Sequence, residues 1–278
     1  MTEATAKDAL KFIAHLKERS APDGSVLSDN TVRNRFHCLH AFYTFLVDMK
    51  LAEHNPFRAV KRAISWRQRI QKRPTKLIPF QAVKQILDSP DARTKEGIRD
   101  AAMLALWFGC GLRRSELRGL NVGDVLVGMC FSKEGEEIYV LRLGRTKAGK
   151  RQEQPIPNWA WPFLSTLVSQ RKSEDAEAKD PLFVFYYKSG GTGERLSEST
   201  VYRIYKEHTQ GAAPHSARAT FATQLARQGK TLGDIASALR HSSPAQAETY
   251  IKIAKGIEEN KGREVIYFPV DSENLPEQ

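Results

Sequence analysis

The sequence contains few cysteines and no long apolar run, and both absences restrict what the protein can be. Only three cysteines occur in 278 residues, Cys38, Cys110 and Cys130, and no two of them form a Cys-x-x-Cys pair. This argues against a disulfide framework or a zinc knuckle and indicates a reducing compartment. The longest apolar run, residues 101–112, is much shorter than the roughly 20 residues that span a bilayer. It predicts a buried helix.

Signals for export and for nucleotide binding are also missing. The amino terminus has neither a basic leader nor an apolar signal core. The sequence has no Gly-x-x-x-x-Gly-Lys-Ser/Thr loop and no carboxylate cluster suited to metal-assisted hydrolysis. We therefore expect a soluble, cytoplasmic protein that does not bind a membrane.

Positive charge is abundant. The 43 lysines and arginines exceed the 32 acidic residues, which gives a formal net charge of +11 and a pI of about 9.6. This favours a polyanionic partner, because each cation placed against a phosphate releases counterions from a nucleic acid. Ribosome-associated and membrane-surface proteins can carry the same charge, so the charge alone does not select among these classes.

One basic run contains no acidic residue. Its cations are Arg58, Lys61, Arg62, Arg67, Arg69, Lys72, Arg73 and Lys76. A solvated face or a linker is the usual interpretation of such a run. Because this one lies where two domains are expected to join, we predict that it follows the backbone of a duplex while the domains close around it.

The region before the basic run has helical periodicity. Residues 4–19 predict a first helix, and a second helix, capped by Asp29 or Asn30, extends to Lys50. The apolar positions are Leu10, Ile13 and Leu16 in the first helix and Val32, Phe36, Leu39, Phe42, Phe45 and Leu46 in the second. A turn at Asn55-Pro56 follows. We predict a small all-α domain here.

The region after the basic run combines helices with one strand-like segment. Helical patterns cover residues 80–87, 98–108, 159–170, 199–208, 215–228, 232–239 and 244–253, whereas residues 124–156 alternate as strands do. The predicted fold class is mainly α with a small antiparallel β-sheet, an α+β domain preceded by the small all-α domain.

Five short motifs follow one another in the second region. They are Gly-Leu-Arg-Arg-Ser-Glu-Leu at 111–117, Thr-Lys-Ala-Gly-Lys at 146–150, His-Ser-Ala-Arg at 215–218, Leu-Arg-His-Ser-Ser at 239–243, and Tyr250. Two arginines, a lysine and two histidines that converge on a tyrosine would form a site for an anionic phosphodiester, with a side-chain oxygen ready to attack it.

The order of these motifs resembles that of the tyrosine recombinases, the integrase family that includes Xer and Cre. The resemblance implies one catalytic residue set, with Glu116 in a supporting role. That set is Arg113, Lys147, His215, Arg218, His241 and Tyr250.

Two arginines would bind the phosphate. A guanidinium keeps its charge and its planar donors match phosphate geometry, so it suits the charge that develops on the non-bridging oxygens. Motif position selects Arg113 and Arg218, with Arg114 as the competitor of Arg113. Alternatively, Arg113 could merely pair with Glu116 on one helical face.

The remaining polar residues would move or bind protons. His215 is a candidate base for the tyrosine hydroxyl, since an imidazole accepts a proton near neutral pH. The resemblance makes Lys147, or Lys150 as the alternative, the acid that protonates the departing 5′ oxygen. His241 would donate a hydrogen bond to the phosphate or the leaving group. Arg240 stands where the family usually has glycine, so we expect an altered turn or a further DNA contact there.

Tyr250 is the candidate nucleophile. A tyrosine hydroxyl has an ordinary pKa near 10, so a base or surrounding cations must favour the phenolate before attack. Seven other tyrosines compete, among them Tyr202, Tyr205 and Tyr267. The position of Tyr250, nine residues after His241, selects it from among them.

The resemblance implies a site-specific recombinase that cuts and rejoins double-stranded DNA through a covalent 3′-phosphotyrosine and a Holliday junction. It implies no metal, ATP or other cofactor. Two duplexes need four active sites, which implies a homo-tetramer on DNA formed from a monomer or weak oligomer. The cytoplasmic protein would associate with the nucleoid when bound. The alternatives are a type IB topoisomerase-like relaxing enzyme and a catalytically silent DNA-binding relative.

The same resemblance assigns the domains. Residues 1–73 would form a helical core-binding domain that binds DNA, with a basic linker at about 58–78. Residues 79–278 would form the catalytic domain. Within it, residues 251–278 would be a C-terminal docking segment, in which the apolar stretch 265–268 could bind a neighbouring subunit.

Overall fold

The chain divides into two compact units, Met1–Pro74 and Thr75–Gln278. The structure is a computed structural model that describes residues 4–18, 26–63, 77–131, 137–144, 152–187, 189, 191–241, 244 and 247–258. For residues 62, 63, 128–131, 137 and 255–258 it describes the backbone only.

The described part of the first unit contains three helices, α1 (Ala6–Glu18), α2 (Asp29–Asp48) and α3 (Phe57–Ala63). Ser28 caps α2, because its extended backbone lets its hydroxyl accept a hydrogen bond from the backbone N–H of Thr31. The predicted caps, Asp29 and Asn30, lie inside the helix instead. The core of this unit is formed by Ala9, Ile13, Leu16, Val32, Phe36, Phe57 and Val60.

The apolar stripe predicted on α2 is only partly buried. Val32 and Phe36 are buried, but Phe42 and Phe45 are 53% and 54% exposed. In α1, Leu10 is also exposed. The apolar positions Leu10, Phe42 and Phe45 are therefore not core positions. Helix α2 has 20 residues, whereas α1 has 13 and α3 has 7.

The second unit is mainly helical. Its helices are α4 (Phe80–Leu87), α5 (Lys95–Cys110), α6 (Arg114–Gly119), α7 (Trp161–Ser173), α8 (Glu198–His208), α9 (His215–Arg227), α10 (Leu232–Ala238) and α11 (Glu248–Glu258). Residues 99–110 of α5 are all buried, as expected of a helix surrounded by protein. The apolar run 101–112 is therefore buried as predicted, but the helix ends at Cys110 and its last two residues form the turn that follows.

Two small antiparallel sheets accompany these helices. Strands β1 (Val125–Phe131), β2 (Glu137–Leu143) and β3 (Gln152–Ile156) pair in that order. Strands β4 (Val184–Tyr186) and β5 (Thr192–Arg195) form a hairpin that was not predicted, because strands of three and four residues are too short to show a clear alternation. The helical first unit and the helix-rich second unit with its small antiparallel sheets confirm the predicted fold class.

Three carboxy-terminal helices share a separate apolar cluster. Helices α9, α10 and α11 contribute Ala219, Ala222, Ile235, Ala236, Leu239, Ala247 and Tyr250 to it. The last helix begins at Glu248, later than the predicted start at residue 244. In the part of the chain that the structure describes, we find no helix with the length and apolar character of a membrane span.

Candidate active site

A sharp turn after α5 places Arg113. Gly111 ends that helix with a left-handed backbone, φ +56°, and a Cβ atom there would lie 2.4 Å from the ring of Phe221. Both constraints favour glycine. The turn leaves Arg113 as the N-cap of α6, with its backbone N–H donating to Glu116 Oε2 at 2.8 Å. The Gly-Leu-Arg motif thus sets the direction in which Arg113 leaves the backbone.

The side chain of Arg113 is held but remains 43% exposed. Its Nη1 donates to Glu116 Oε1 at 2.5 Å and its Nη2 donates to the backbone oxygen of Arg240 at 3.1 Å. The pair with Glu116 considered from the sequence is therefore present. Arg114 has a different neighbour, since it pairs with Glu198 on α8 at 2.7 Å.

Arg218 connects the ends of two helices. It lies on α9, is 3% exposed, and its Nη1 donates to the backbone oxygen of Gly111 at 2.6 Å. Its Nη2 donates to the backbone oxygen of Leu239. Burial, followed by the charges of Arg113 and Arg240, lowers the pKa of Arg218 to about 10, so it stays charged at neutral pH.

His215 begins α9, one turn before Arg218. Its side chain is exposed, in contrast to that of Arg218. Partial desolvation and the charges of Arg218 and Arg113 lower the pKa of His215 below its ordinary value. The imidazole is therefore neutral at pH 7 and able to accept a proton.

His241 and Tyr250 lie side by side. Their ring centroids are 6.4 Å apart and their planes differ by 27°. Nδ1 of His241 is buried and has no hydrogen-bond partner among the described residues. Burial, then the charges of Arg218, Arg113 and Arg240, lower the pKa of His241 to about 4. The structure thus holds a neutral imidazole against the tyrosine.

Tyr250 lies on α11 and is 8% exposed. Burial raises the pKa of its hydroxyl, while the charge of Arg218 acts in the opposite direction. Of the competitors, Tyr205 is fully buried and its hydroxyl contacts Ser216 Oγ at 3.0 Å, whereas Tyr202 lies beneath the guanidinium of Arg114. Tyr267 lies outside the described residues.

Several predicted residues cannot be placed. Lys147 and Lys150 lie outside the described residues, as do Arg67, Arg69, Lys72, Arg73 and Lys76 of the basic run, and Arg62 is described only in its backbone. Arg58 and Lys61 are exposed on α3. Within the described ranges, no group of three or more His, Cys, Asp or Glu residues could hold a metal ion.

Arg240 differs from its prediction as a DNA contact. Its side chain is only 4% exposed, and its guanidinium bonds Glu116 and Gln154 inside the unit. This arrangement does not support the expected DNA contact, because the guanidinium is buried and bonded within the unit. Gln154 was not singled out from the sequence, since no local pattern relates strand β3 to the turn after α10.

The depressed pKa of His241 predicts how stability depends on pH. An unfolded chain binds a proton at this histidine near pH 6.5, whereas the folded chain binds it near pH 4. Stability is therefore fully present above about pH 6.5 and falls as the pH decreases towards 4. We expect His241→Gln to reduce this loss by about 1 kcal/mol at pH 5, allowing for solvent screening.

Urea unfolding of the wild type and of His241→Gln at pH 7.5 and pH 5 measures this difference. The comparison isolates one histidine, because the other titrating groups are common to both proteins. An equal loss of unfolding free energy in both would contradict a neutral, desolvated His241.

Comparison with known proteins shows which family the chain is related to. The chain is 28% identical to tyrosine recombinase XerC of Bacillus subtilis over 261 residues, covering 91% of this chain and 78% of that protein. It is 29% identical to tyrosine recombinase XerA of Pyrococcus furiosus over 264 residues, covering 92% and 79%. The structure of XerH site-specific recombinase bound to palindromic difH substrate has a similar fold, with a TM-score of 0.65, 16% identity and coverage of 94% and 70%. Residues 76–256 match the model of the phage integrase family, and the chain therefore belongs to that family.

Proposed function

We propose that this protein is a site-specific DNA recombinase that cuts and rejoins strands through a covalent 3′-phosphotyrosine at Tyr250. The observation that carries the proposal is the arrangement of Arg113, Arg218 and His241 beside that tyrosine. Two guanidiniums, a neutral imidazole and a hydroxyl are the groups that a metal-independent attack on a phosphodiester needs. The family relationship supports the same reaction class.

The two arginines would bind the non-bridging oxygens of the scissile phosphate. Arg218 is buried and held by two backbone carbonyls, so its orientation is set before DNA arrives. Arg113 is partly exposed and has donor capacity left for a ligand. A preorganised donor stabilises charge that develops in the transition state without reorganisation at that moment.

Proton transfer would use the two neutral histidines and a lysine. His215 would accept the proton of the Tyr250 hydroxyl, and His241 would direct an N–H at the phosphate or the departing oxygen. We propose Lys147 as the acid for the 5′ oxygen, with Lys150 as the alternative.

The DNA-bound assembly follows from the reaction. Exchange between two duplexes requires four nucleophiles, so we propose a homo-tetramer that forms on paired sites and passes through a Holliday junction. The exposed Arg58 and Lys61 on α3 support the proposal that residues 1–73 bind the duplex backbone. XerH has been crystallised on its difH substrate, and by analogy we propose double-stranded DNA as the partner here.

An apolar groove in the second unit supports docking between subunits. It has a volume of about 990 Å³. Its apolar lining includes Phe80, Val83, Phe108, Trp159, Phe221 and Leu225. Phe80 is 64% exposed and Trp159 is 46% exposed. We propose that residues 265–268 (Val-Ile-Tyr-Phe) of a neighbouring subunit bind this groove, a head-to-tail contact that closes in a ring.

The proposed reaction can be tested on DNA that the protein itself selects. Duplexes that bind the protein would be enriched from a random library and resynthesised with a nick beside the cleavage position. Cleavage then releases a short fragment, and its loss prevents religation and traps the covalent intermediate. We expect a denaturation-resistant protein–DNA adduct, and exchanged strands when two sites are present. Relaxation of supercoils without exchange would favour a topoisomerase-like enzyme, and binding without an adduct would indicate a silent relative.

Removing the part of the docking segment that contains residues 265–268 tests the assembly. We expect deletion of residues 262–278 to preserve binding and adduct formation at one site but to lower strand exchange by about tenfold or more, because the ring contact is lost. Deletion of only residues 271–278, which follow the apolar stretch, is the matched control. Equal exchange by the 262–278 deletion and the full chain would disprove the docking role.

A further inference from the structure

Arg240 has an unusual combination of backbone and side chain. Its φ is +55°, in the left-handed region that favours glycine and strains other residues. A glycine would adopt this turn without strain. The side chain of Arg240 is nevertheless 4% exposed and engaged by several partners. The turn alone does not require an arginine, so we look for the role of Arg240 in the contacts of its guanidinium.

The guanidinium of Arg240 joins three segments. Its Nη2 donates to Glu116 Oε2 at 2.9 Å and its Nε donates to Glu116 Oε1 at 3.4 Å. Its Nη1 donates to Gln154 Oε1 on β3 and to the backbone oxygen of Ala238 at 2.8 Å. Its Nη2 also lies 3.3 Å from the backbone oxygen of Gly111.

Glu116 is shared between two guanidiniums. Each carboxylate oxygen accepts from both arginines: Oε2 from the backbone N–H of Arg113 and from Nη2 of Arg240, and Oε1 from Nη1 of Arg113 and from Nε of Arg240. Burial alone would raise the pKa of the Glu116 carboxyl, but the charge of Arg240 and the hydrogen bonds from both arginines outweigh it, so that pKa lies below its ordinary value. Glu116 is therefore ionised between two cations.

The charges in this cluster have a simple balance. Arg113 and Glu116 alone form a neutral pair, which would offer a phosphate no net attraction. Addition of Arg240 makes the trio positive by one unit, so Glu116 can hold Arg113 without cancelling it. Arg240 also presents its own backbone oxygen to Nη2 of Arg113, 3.1 Å away.

We infer that Arg240 is a positioning residue for Arg113: it neutralises Glu116 and, through that carboxylate and its own carbonyl, orients the Arg113 guanidinium towards the scissile phosphate. The inference rests on the proposed function and adds a residue to it. Arg240 acts through Arg113, because its own side chain is buried and bonded within the unit. A glycine at this position would keep the turn and lose the compensating charge.

The inference predicts an effect on cleavage rather than on binding. Arg240→Met keeps an unbranched side chain as far as the position of Nε and keeps the left-handed backbone, while it removes the charged guanidinium. We expect it to lower the rate constant of adduct formation at saturating DNA by about 10- to 100-fold, with the Kd for DNA changed less than about twofold. Arg240→Lys keeps the charge and should lose less.

A second substitution separates charge from structure. Glu116→Gln in the Arg240→Met background removes the carboxylate that Arg240 had neutralised. We expect the double variant to regain about tenfold in the rate constant. A residue that only braced the turn would show no such recovery. Arg240→Gly, which relieves the left-handed strain, provides a variant that folds if Arg240→Met does not, and Arg93→Met controls for loss of one exposed charge.

The outcomes are distinct. A wild type that forms no adduct would overturn the proposed function and this inference with it. If the wild type forms the adduct, three results each overturn the inference alone. They are an unchanged rate constant in Arg240→Met and Arg240→Gly, weaker DNA binding with unchanged cleavage, and a double variant no faster than Arg240→Met. A slow single variant with recovery in the double variant supports it.

Discussion

Replacement of Tyr250 with phenylalanine should abolish the covalent protein–DNA adduct while leaving DNA binding intact. The change removes one oxygen from a side chain that is 8% exposed and keeps the ring that packs with α9 and α10. Loss of the nucleophile leaves no path to a phosphotyrosine, so we expect the rate of adduct formation to fall by at least about 10⁴-fold. Denaturing gel analysis of the nicked duplex measures it directly.

The matched control is Tyr202→Phe, which removes the hydroxyl of a tyrosine that lies beneath Arg114. We expect that variant to form the adduct at nearly the wild-type rate. An adduct that persists in Tyr250→Phe would show that another residue attacks the phosphate. If the adduct is lost in Tyr202→Phe instead, the nucleophile is Tyr202 on α8.

Replacement of Arg218 with lysine should produce the second largest loss. Lysine keeps the charge but cannot donate simultaneously to the backbone oxygens of Gly111 and Leu239 and to a phosphate in one plane. Cleavage at saturating DNA should slow by about 10²- to 10³-fold, the usual effect of losing one preorganised donor to a developing oxyanion. Single-turnover cleavage of the nicked duplex gives the rate constant.

Arg227→Lys is the control, because Arg227 is exposed at the end of the same helix, α9. Both variants need a measured unfolding free energy, since Arg218 is buried and its two carbonyl partners lose a donor. Arg218→Lys could prove stable, bind DNA and cleave as fast as Arg227→Lys. That result would show that a point charge suffices and that the fixed plane of the Arg218 guanidinium is unimportant.

Local patterns predicted most of the second unit. Residues 80–87 were predicted as a helix and form α4, and the predictions near residues 199 and 215 agree with α8 and α9. These helices have apolar positions that repeat every three to four residues, which is a strong local signal. The β4–β5 hairpin was missed because its strands are too short to alternate visibly.

The sequence predicted which residues form the site but not the hydrogen bonds and ion pairs between them. The candidate residues Arg113, Arg218, His241 and Tyr250 do come together in the structure, as the order of the motifs indicated. The internal bonding of Arg240 was not predicted, since it depends on Glu116, which is 124 residues away in sequence, and on Gln154, which is 86 residues away. No pattern within one helix or strand predicts contacts between residues so far apart in the sequence.

The sequence by itself determined the fold class, the family and the kinds of group at the site, because helix periodicity and motif order are properties of neighbouring residues. The tertiary structure alone decided which groups meet and in what charge state. It turned Arg113 towards Glu116 and Arg114 towards Glu198, although the two arginines are adjacent in the chain. It also made His241 neutral and Glu116 ionised, since burial and surrounding charges act through space and not along the sequence.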